Sequence, residues 1–263
     1  MTELTERGKQ IRRDTLKLGI PNGIYHYGGS FSVVEILISL YDHVIGPDDA
    51  LYDTVIMSKG HCWIPQVVML RERGLNPGFG PRLDTPEQNC LVGHPFRDPE
   101  NGIAVNTGSL GHGMPLGLGM AFARKVQGRP GRVYVIVGDG EIQEGTFWES
   151  LLLGARFKLD NLTVIIDRNQ IQGSGRVDEI LPISDIALSK IAMYANWASA
   201  IVDGHHVPTL VDTFNWTQTL SVPTLIVANT IKGRGVSFME DRAEWHAKFP
   251  TPEQLEQAYG DLQ

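Results

Sequence analysis

The sequence predicts an α/β domain in which a doubly wound, mainly parallel sheet carries helices on both faces. Two apolar runs, residues 133–137 and 162–166, have the length of buried strands. Residues 144–157, which lie between them, have helical length and spacing, so the stretch predicts a strand, a helix and a second strand. Such a crossover joins parallel strands and is right-handed in nearly all proteins. The 263 residues suffice for one large core, and we predict a single domain over residues 1–263.

Polar residues follow both apolar runs. Asp139, in Gly138-Asp139-Gly140, comes directly after the first run, and Asn169 follows the second. The carboxyl ends of neighbouring parallel strands share one edge of the sheet, where open α/β sheets bind ligands. A carboxylate and an amide oxygen at that edge can share a hard cation with a phosphorylated cofactor, and Mg²⁺ is the obvious candidate.

The dipeptide Asp139-Gly140 has a second common meaning, the turn of a β-hairpin. A two-residue hairpin requires another strand at once. The residues after Gly140 instead form a long helix-forming stretch. Glu141 and Glu144 lie in its first turn, where the helix dipole favours negative charge. The strand, helix and strand are therefore the better interpretation.

The N-terminal part of the chain is predicted to be helical. Residues 4–18 form a first helix, and Ser32-Val33-Val34-Glu35 has the capping-box pattern ahead of a second, apolar helix that runs to about Ile45. The loop between these helices contains His26-Tyr27-Gly28-Gly29-Ser30. Residues 53–57 then form a short buried strand, which ends in polar residues.

The middle of the chain contains irregular and glycine-rich segments. Residues 75–107 lack periodicity, which in a compact domain usually indicates function. Thr107-Gly108-Ser109-Leu110-Gly111-His112-Gly113 precedes a helix over residues 116–126. This glycine run is either a flexible loop or a segment whose backbone N–H groups approach a ligand. Further on, residues 224–229 are a strand and Thr251-Pro252-Glu253-Gln254 caps a final helix.

Composition excludes several classes of function. The net charge of −7 argues against nucleic-acid binding, which needs clustered Lys and Arg. No apolar run reaches the roughly 18 residues of a membrane span, and the N-terminus is not a signal peptide, so we expect a cytoplasmic protein. The basic residues near the N-terminus are interpreted as a solvated helix face; they are Arg7, Lys9, Arg12, Arg13 and Lys17.

Cysteine and histidine usage points away from disulfides and zinc. Cys62 and Cys90 are interpreted as reduced packing residues, because neither lies in a CxxC or CxxH pattern. The eight histidines show no zinc-ligand spacing. Four of them instead fall in loops, where imidazoles with a pKa near neutrality suit proton transfer and hydrogen bonding to sugar hydroxyls. These four are His26, His61, His94 and His246.

Over nearly all of residues 8–255, the chain resembles the N-terminal, diphosphate-binding half of transketolase, a thiamine diphosphate enzyme. The resemblance depends on several motifs that occur in the family's order. They are His26-x-Gly28-Gly29-Ser30, Ser58-Lys59-Gly60-His61, Gly93-His94-Pro95, Thr107-Gly108-Ser109-Leu110-Gly111, Gly138-Asp139-Gly140 with Asn169, Asp203-Gly204-His205, Lys232-Gly233-Arg234-Gly235 and Trp245-His246.

The resemblance implies the metal and cofactor ligands. Asp139, the Asn169 side chain and the Ile171 carbonyl would coordinate Mg²⁺, for which Ca²⁺ or Mn²⁺ can substitute, together with the diphosphate and water. The residues expected to bind thiamine diphosphate belong to the same motifs. They are His61, Gly108, Ser109, Leu110, Gly138, Asp139, Gly140, Asn169 and Lys232.

The resemblance also implies the reaction and a partner. His26, His94 and His246 would contact substrate hydroxyls while a two-carbon ketol unit passes from a ketose phosphate to an aldose phosphate. Glu144 either links two active sites across a dimer interface or compensates the helix dipole. The family's pyrimidine-binding and C-terminal domains have no counterpart in these residues. We therefore expect the chain to be inactive alone and to form an α2β2 heterotetramer with a C-terminal transketolase subunit.

The sequence departs from the family pattern at four positions. Tyr25 and Ala247 stand where glycine is usual, and His112 where glutamine is common. Gly173 falls where an apolar residue usually packs against the thiazolium ring. These changes would reshape the pocket floor and leave open an unusual sugar phosphate or a biosynthetic acceptor.

Two other functions compete with ketol transfer. The α chain of a 2-oxoacid dehydrogenase shares the Gly-Asp-Gly and Asn arrangement but gives no reason for the loop histidines. A non-catalytic regulatory subunit would not need the metal ligands that Asp139 and Asn169 supply. Both alternatives remain open at the level of sequence.

Overall fold

The computed structural model describes residues 4–46, 52–76, 80–81, 89–90 and 93–263, with the backbone alone at 80–81 and 89–90. In chain order, the strands are Thr54–Met57 (β1), Gly80–Pro81 (β2), Asn89–Cys90 (β3), Val133–Gly138 (β4), Leu162–Arg168 (β5), Ile171–Gln172 (β6), Gly175–Arg176 (β7), Ala198–Asp203 (β8) and Thr224–Asn229 (β9). The helices are Glu6–Gly19 (α1), Tyr27–Ser32 (α2), Val34–Ile38 (α3), Ile64–Glu72 (α4), Gly113–Gln127 (α5), Gly145–Arg156 (α6), Val177–Ile180 (α7), Asp185–Tyr194 (α8), Val207–Gln218 (α9) and Pro252–Asp261 (α10).

A parallel five-stranded sheet in the order β1-β4-β5-β9-β8 forms the centre of the domain. Alternate residues of β4 face opposite cores, Tyr134 and Ile136 on one side, and Val133 and Val135 on the other. Helices α3, α4 and α9 cover the first face, and α5, α6 and α8 cover the second. The predicted doubly wound α/β class is therefore confirmed. Continuous burial of β4 and β5 follows, because both faces are covered.

Several predicted elements match the structure closely. Helix α1, strand β1 and strand β9 lie within two residues of their predicted bounds. Helix α10 begins with a complete capping box, in which Thr251 and Gln254 bond each other's backbone. Among the described helices, none combines the length and apolar character required to cross a bilayer. The side chain of Cys90 lies outside the described residues, whereas Cys62 is buried and free.

The capping box predicted at Ser32 to Glu35 is wrong. Residues 27–32, predicted as loop, form α2, and Ser32 ends this helix instead of starting the next one. Its hydroxyl donates to Asp167 and to the carbonyl of Gly29, and Val33 stands at the start of α3 without a side-chain cap. The carboxylate of Glu35 pairs with a distant arginine. Tertiary partners have captured both side chains that the local pattern assigned to each other.

The solvated helix face predicted near the N-terminus is wrong at one position. Arg12 is fully buried and forms an ion pair with Glu35. Lys17, by contrast, is exposed and pairs only with Asp14 on the same helix. Strand β8, with α8 and α9 around it, was not predicted, because β8 is an edge strand of mixed, partly exposed residues without strong alternation.

Candidate active site

A cavity of about 410 Å³ opens at the carboxyl ends of β1, β4, β5 and β9, the edge that the sequence predicted for ligand binding. It is lined by His26, Gly29, Lys59, His61, His94, Gly108, Leu110, Gly138, Asp139, Gly140, Glu141, Asn169, Ile171, Gln172, Gly173, Ser174, Lys232 and His246. Of the residues proposed from the sequence, only Ser109 and Glu144 are not among these lining residues. Both are exposed in this chain.

The ends of β4 and β5 place Asp139 and Asn169 side by side. Asp139 follows β4, and its carboxylate accepts hydrogen bonds from the backbone N–H groups of Gly140, at 2.8 Å, and Gln170. The amide nitrogen of Asn169 donates to Asp167 at 2.8 Å. The Asn169 amide oxygen lies 3.2 Å from the backbone nitrogen of Ile171, a residue that also lines the cavity.

These three residues fit a hard divalent cation. Asp139 offers a carboxylate, Asn169 an amide oxygen and Ile171 a backbone carbonyl, the all-oxygen set that Mg²⁺ prefers. Burial, followed by the negative charge of Asp167, raises the pKa of Asp139. A cation beside Asp139 would offset that penalty, because it would balance a buried carboxylate.

Asp167 is a residue of the site that the sequence analysis missed. It is fully buried at the end of β5 and accepts hydrogen bonds from Lys59, Ser32, Thr230 and Asn169. Burial alone would raise its pKa, but Lys59 and these hydrogen bonds lower it below the ordinary value. Asp167 thereby ties the ends of three strands together and orients the Asn169 amide.

The four loop histidines form one cluster. The ring centroid of His26 lies 5.2 Å from that of His61 and 5.9 Å from that of His246. His94 lies 6.3 Å from His26, and His61 lies 5.2 Å from His246. Residues separated by up to 220 positions in the chain are thus in ring contact around the cavity.

Burial lowers the pKa of every member of the cluster. The pKa of His26 falls to about 4 through burial, His94 and Lys232, and that of His246 falls to about 3 through burial and Lys232. The pKa of His61 lies well below its ordinary value, mainly because of burial and Lys59, and burial lowers that of His94. The cluster is therefore neutral near pH 7.

Lys232 enters the cavity from the loop that follows β9. Its ammonium lies 3.1 Å from the carbonyl oxygen of Ile171 and 3.1 Å from Nδ1 of His246. Burial and the nearby charge of Lys59 lower the pKa of Lys232 to about 8, so it is still mostly protonated at pH 7. An ammonium has no acceptor, so Nδ1 of His246 must accept and its Nε2 must carry the proton.

The glycine run before α5 is held in place by neighbouring segments. Gly108 has φ of +139°, and a Cβ there would lie 2.7 Å from the His94 ring. The Gly111 N–H donates to Glu141 at 2.9 Å, and Thr107 donates its hydroxyl to the carbonyl of Met57 at 2.7 Å. Gly108 and Leu110 line the cavity, which favours the interpretation as a ligand-approach segment over a flexible loop.

Glu141 corrects a prediction about the helix dipole. It lies in a 3₁₀ turn, Glu141–Gln143, ahead of α6, and is buried. Its carboxylate accepts from the Ser58 hydroxyl and from the backbone N–H groups of Gly111 and Gly138. Glu141 therefore links the ends of β1 and β4 to the glycine run. Glu144, at the N-terminal boundary of α6, makes no side-chain capping bond.

The four departures lie around one side of the cavity or on the surface. Gly173 lines the cavity, and a Cβ there would lie 3.4 Å from Nε2 of His246. Tyr25 packs on the ring of His26, with centroids 4.5 Å apart. His112 and Ala247 are exposed, at the ends of α5 and of the turn Ala243–His246.

Comparisons with known proteins agree with this geometry. The family model described as transketolase, thiamine diphosphate binding domain, matches residues 22–258. One of the two subunits named for the apulose-4-phosphate transketolase of Actinobacillus succinogenes is 38% identical over 267 residues, 99% of this chain and 96% of that protein. A 6-deoxy-6-sulfo-D-fructose transketolase subunit of Clostridium sp. is 31% identical over 269 residues, 99% of this chain and 96% of that protein.

A solved structure shows the same fold in a longer chain. Transketolase from Leishmania mexicana superposes with a TM-score of 0.84 at 23% identity, over 99% of this chain and 42% of that one. The residues described above thus correspond to about two fifths of that protein, and to nearly the full length of the two relatives.

Proposed function

The chain belongs to the transketolase family and matches its thiamine diphosphate-binding domain, and we propose that it is the cofactor-binding subunit of a two-subunit, cytoplasmic transketolase. The reaction we propose is transfer of a two-carbon ketol unit from a ketose phosphate to an aldose phosphate. The observation that carries this proposal is the cluster of four neutral histidines beside Asp139 and Asn169.

The cofactor is proposed to bind at the sheet edge. Asp139, Asn169 and the Ile171 carbonyl would hold Mg²⁺, or Ca²⁺ or Mn²⁺ in its place, with the diphosphate between the metal and the Gly138 to Gly140 turn. When bound, thiamine diphosphate supplies the electron sink that cleavage of a carbon–carbon bond next to a carbonyl requires. The residues of this chain bind it, orient it and limit the access of water.

The histidines are proposed to hold and move hydroxyl protons. His246 presents Nε2–H to the cavity, because its Nδ1 is occupied by Lys232. It can donate a hydrogen bond to a substrate oxygen there. Nδ1 of His26 is buried and has no hydrogen-bond partner among the described residues. A neutral imidazole in that state suits a hydroxyl group that delivers or takes a proton.

A second polypeptide is proposed to complete the active site. The two relatives that this chain matches over 96% of their length are both named as subunits. We propose that the partner supplies the pyrimidine-binding and C-terminal domains in an α2β2 heterotetramer. Glu144, exposed at the start of α6, is positioned on the surface where such a partner could contact it.

The substrate is proposed to be an unusual sugar rather than an ordinary pentose phosphate. The relatives are named for apulose 4-phosphate and for 6-deoxy-6-sulfo-D-fructose. In this chain, Gly173 leaves the wall beside His246 without a side chain. A branched or modified ketose needs more room than a linear one, and that position offers it.

Ketol transfer tests the proposal directly. The chain is assayed alone, after co-expression with the protein encoded beside it, and the partner is assayed alone, with Mg²⁺, thiamine diphosphate and ketose phosphates that include apulose 4-phosphate. We expect turnover in the mixture only, and its loss on chelation. Turnover by the isolated chain would contradict the two-subunit form. Bound cofactor without turnover of any ketose would favour a regulatory role.

A further inference from the structure

A buried histidine outside the cavity lies against the loop that enters it. His205, in the turn after β8, has a side chain only 8% exposed. Its Nε2 lies 2.8 Å from the backbone nitrogen of Ile231, and its Nδ1 lies 2.7 Å from Oε2 of Glu35. A backbone N–H can only donate, so Nε2 must be the acceptor. The proton of His205 is therefore on Nδ1, from which it is donated to Glu35.

Glu35 is in turn fixed by Arg12. The guanidinium of Arg12 donates to both carboxylate oxygens of Glu35, at 2.6 and 2.9 Å, and to the Phe31 carbonyl at 2.7 Å. The Arg12 side chain is 0% exposed and that of Glu35 is 4% exposed. Burial alone would raise the pKa of Glu35, but Arg12 and His205 lower it to about 2. The carboxylate is thus charged, and it orients the imidazole from behind.

The residue after Ile231 is the lysine of the cavity. Lys232 reaches Ile171 and His246, at 3.1 Å each, although burial opposes its charge. Its flexible side chain would regain hydration if the backbone that carries it were free to move outward. Besides the contacts of Lys232 itself, this loop is held by the bond from Gly233 N–H to the Gly28 carbonyl, at 2.8 Å, and by the bond from Ile231 to His205.

We propose that His205 is a positioning residue for the active site. By accepting the Ile231 N–H, it fixes the backbone of the 230–233 loop so that Lys232 points into the cavity and holds His246. Arg12 and Glu35 maintain the tautomer that makes this possible. The use of Lys232 in catalysis rests on the proposed function, whereas the positioning itself can be measured in the chain alone.

Two amides that differ by one methylene separate the two bonds of His205. In His205→Asn, the amide lies where Nδ1 was, so it can still donate to Glu35 but does not reach Ile231. In His205→Gln, the amide extends to the place of Nε2 and can accept from Ile231. His206→Asn is the neighbouring control, since His206 contacts Thr209 and not the 230–233 loop.

The measurement is the rate at which acetic anhydride acetylates individual lysines of the full chain at constant pH, followed by mass spectrometry. Lys59 is the internal reference, because its side chain is 3% exposed and bonded to Asp167 rather than to His205. Exchange of the Ile231 amide with deuterium reports the bond to His205 directly.

In His205→Asn we expect acetylation of Lys232 to rise about tenfold, with faster exchange at Ile231 and no change at Lys59. In His205→Gln we expect both rates within about twofold of wild type. The proposal is overturned if Lys232 is as protected in His205→Asn as in wild type. It is also overturned if Lys59 opens in parallel, which indicates general loosening. Ketol-transfer assays are independent of these rates, so failure of the proposed function would be seen separately.

Discussion

Two clusters of buried ionisable side chains lie at the same end of the sheet and differ in how their charges are balanced. In the first, Arg12, Glu35 and His205 bond one another at 2.6 to 2.9 Å. In the second, burial lowers the pKa of His26 to about 4 and that of His246 to about 3. Paired charges stabilise the fold, whereas unpaired polar groups in a cavity indicate a site prepared for a ligand.

Two neighbouring carboxylates repeat the contrast. Asp167 has four hydrogen-bond donors, including Lys59, and its pKa is lowered in spite of burial. Asp139 accepts only backbone N–H groups, and burial and Asp167 raise its pKa. Partners, rather than burial, decide which carboxylate supports the structure and which one has charge to offer a cation.

The contrast predicts that cavity histidines matter for turnover and little for stability. In the two-subunit enzyme, we expect His26→Asn and His246→Asn each to lower kcat/KM by about 10²- to 10⁴-fold, the range typical for loss of a proton-transferring group. Urea unfolding of the same variants should stay within about 1 kcal/mol of wild type. His43→Asn, at an exposed position, is the control for both measurements. A large loss of stability would make the cavity histidines structural.

The opposite result is expected in the paired cluster. Arg12→Met leaves Glu35 buried with only His205 beside it, so we expect the free energy of unfolding to fall by about 3–5 kcal/mol. Lys17→Met removes an exposed pair with Asp14 and should cost no more than about 1 kcal/mol. Equal losses in the two variants, measured by urea unfolding, would show that the buried pair contributes nothing special.

The cavity cluster also predicts how stability depends on pH. The folded-state pKa values of His26 and His246, about 4 and about 3, lie below the unfolded value of about 6.5. The unfolded chain therefore binds more protons as pH falls below 6.5, so the free energy of unfolding decreases between about pH 6.5 and pH 3. The double variant His26→Asn and His246→Asn should flatten that part of the curve. Unfolding titrations at several pH values give the comparison, and an unchanged slope would contradict it.

The smallest effect is expected where the cavity wall lacks a side chain. Gly173→Ala adds a methyl group about 3.4 Å from His246, at ordinary van der Waals distance and without a positive φ. We expect stability to change by no more than about 1 kcal/mol, with a gain from the less flexible unfolded chain. KM for a bulky ketose should rise several-fold. Gly119→Ala, which has open space around it, should leave KM unchanged.

The sequence predicted the parts of the site that local pattern determines. Asp139 and Asn169 follow two strands joined by one helix, so their proximity requires only the parallel crossover. The histidine cluster was predicted in membership from the resemblance, although not in its ring contacts. Element bounds around the apolar runs were close for the same reason, since strand burial is visible as a continuous run.

Long-range partners were not predictable from local pattern. His205 and Glu35 are 170 positions apart, and nothing in either neighbourhood indicates that they bond. The capping-box interpretation of Ser32 failed because Asp167, 135 positions away, competes for the same hydroxyl. Arg12 was interpreted as solvated because charged residues usually are, and only its tertiary pairing with Glu35 permits its burial.

The strand order has a consequence for synthesis of the protein. Strand β9 is the last of the sheet to be translated, yet it lies between β5 and β8. Until residues 224–229 leave the ribosome, β5 has an apolar edge without a partner and β8 has no place in the sheet. Such edges pair readily with other chains. Most of the nascent domain therefore depends on chaperones or on rapid completion of translation, and a transcript cut before β9 yields an aggregating product rather than a smaller folded one.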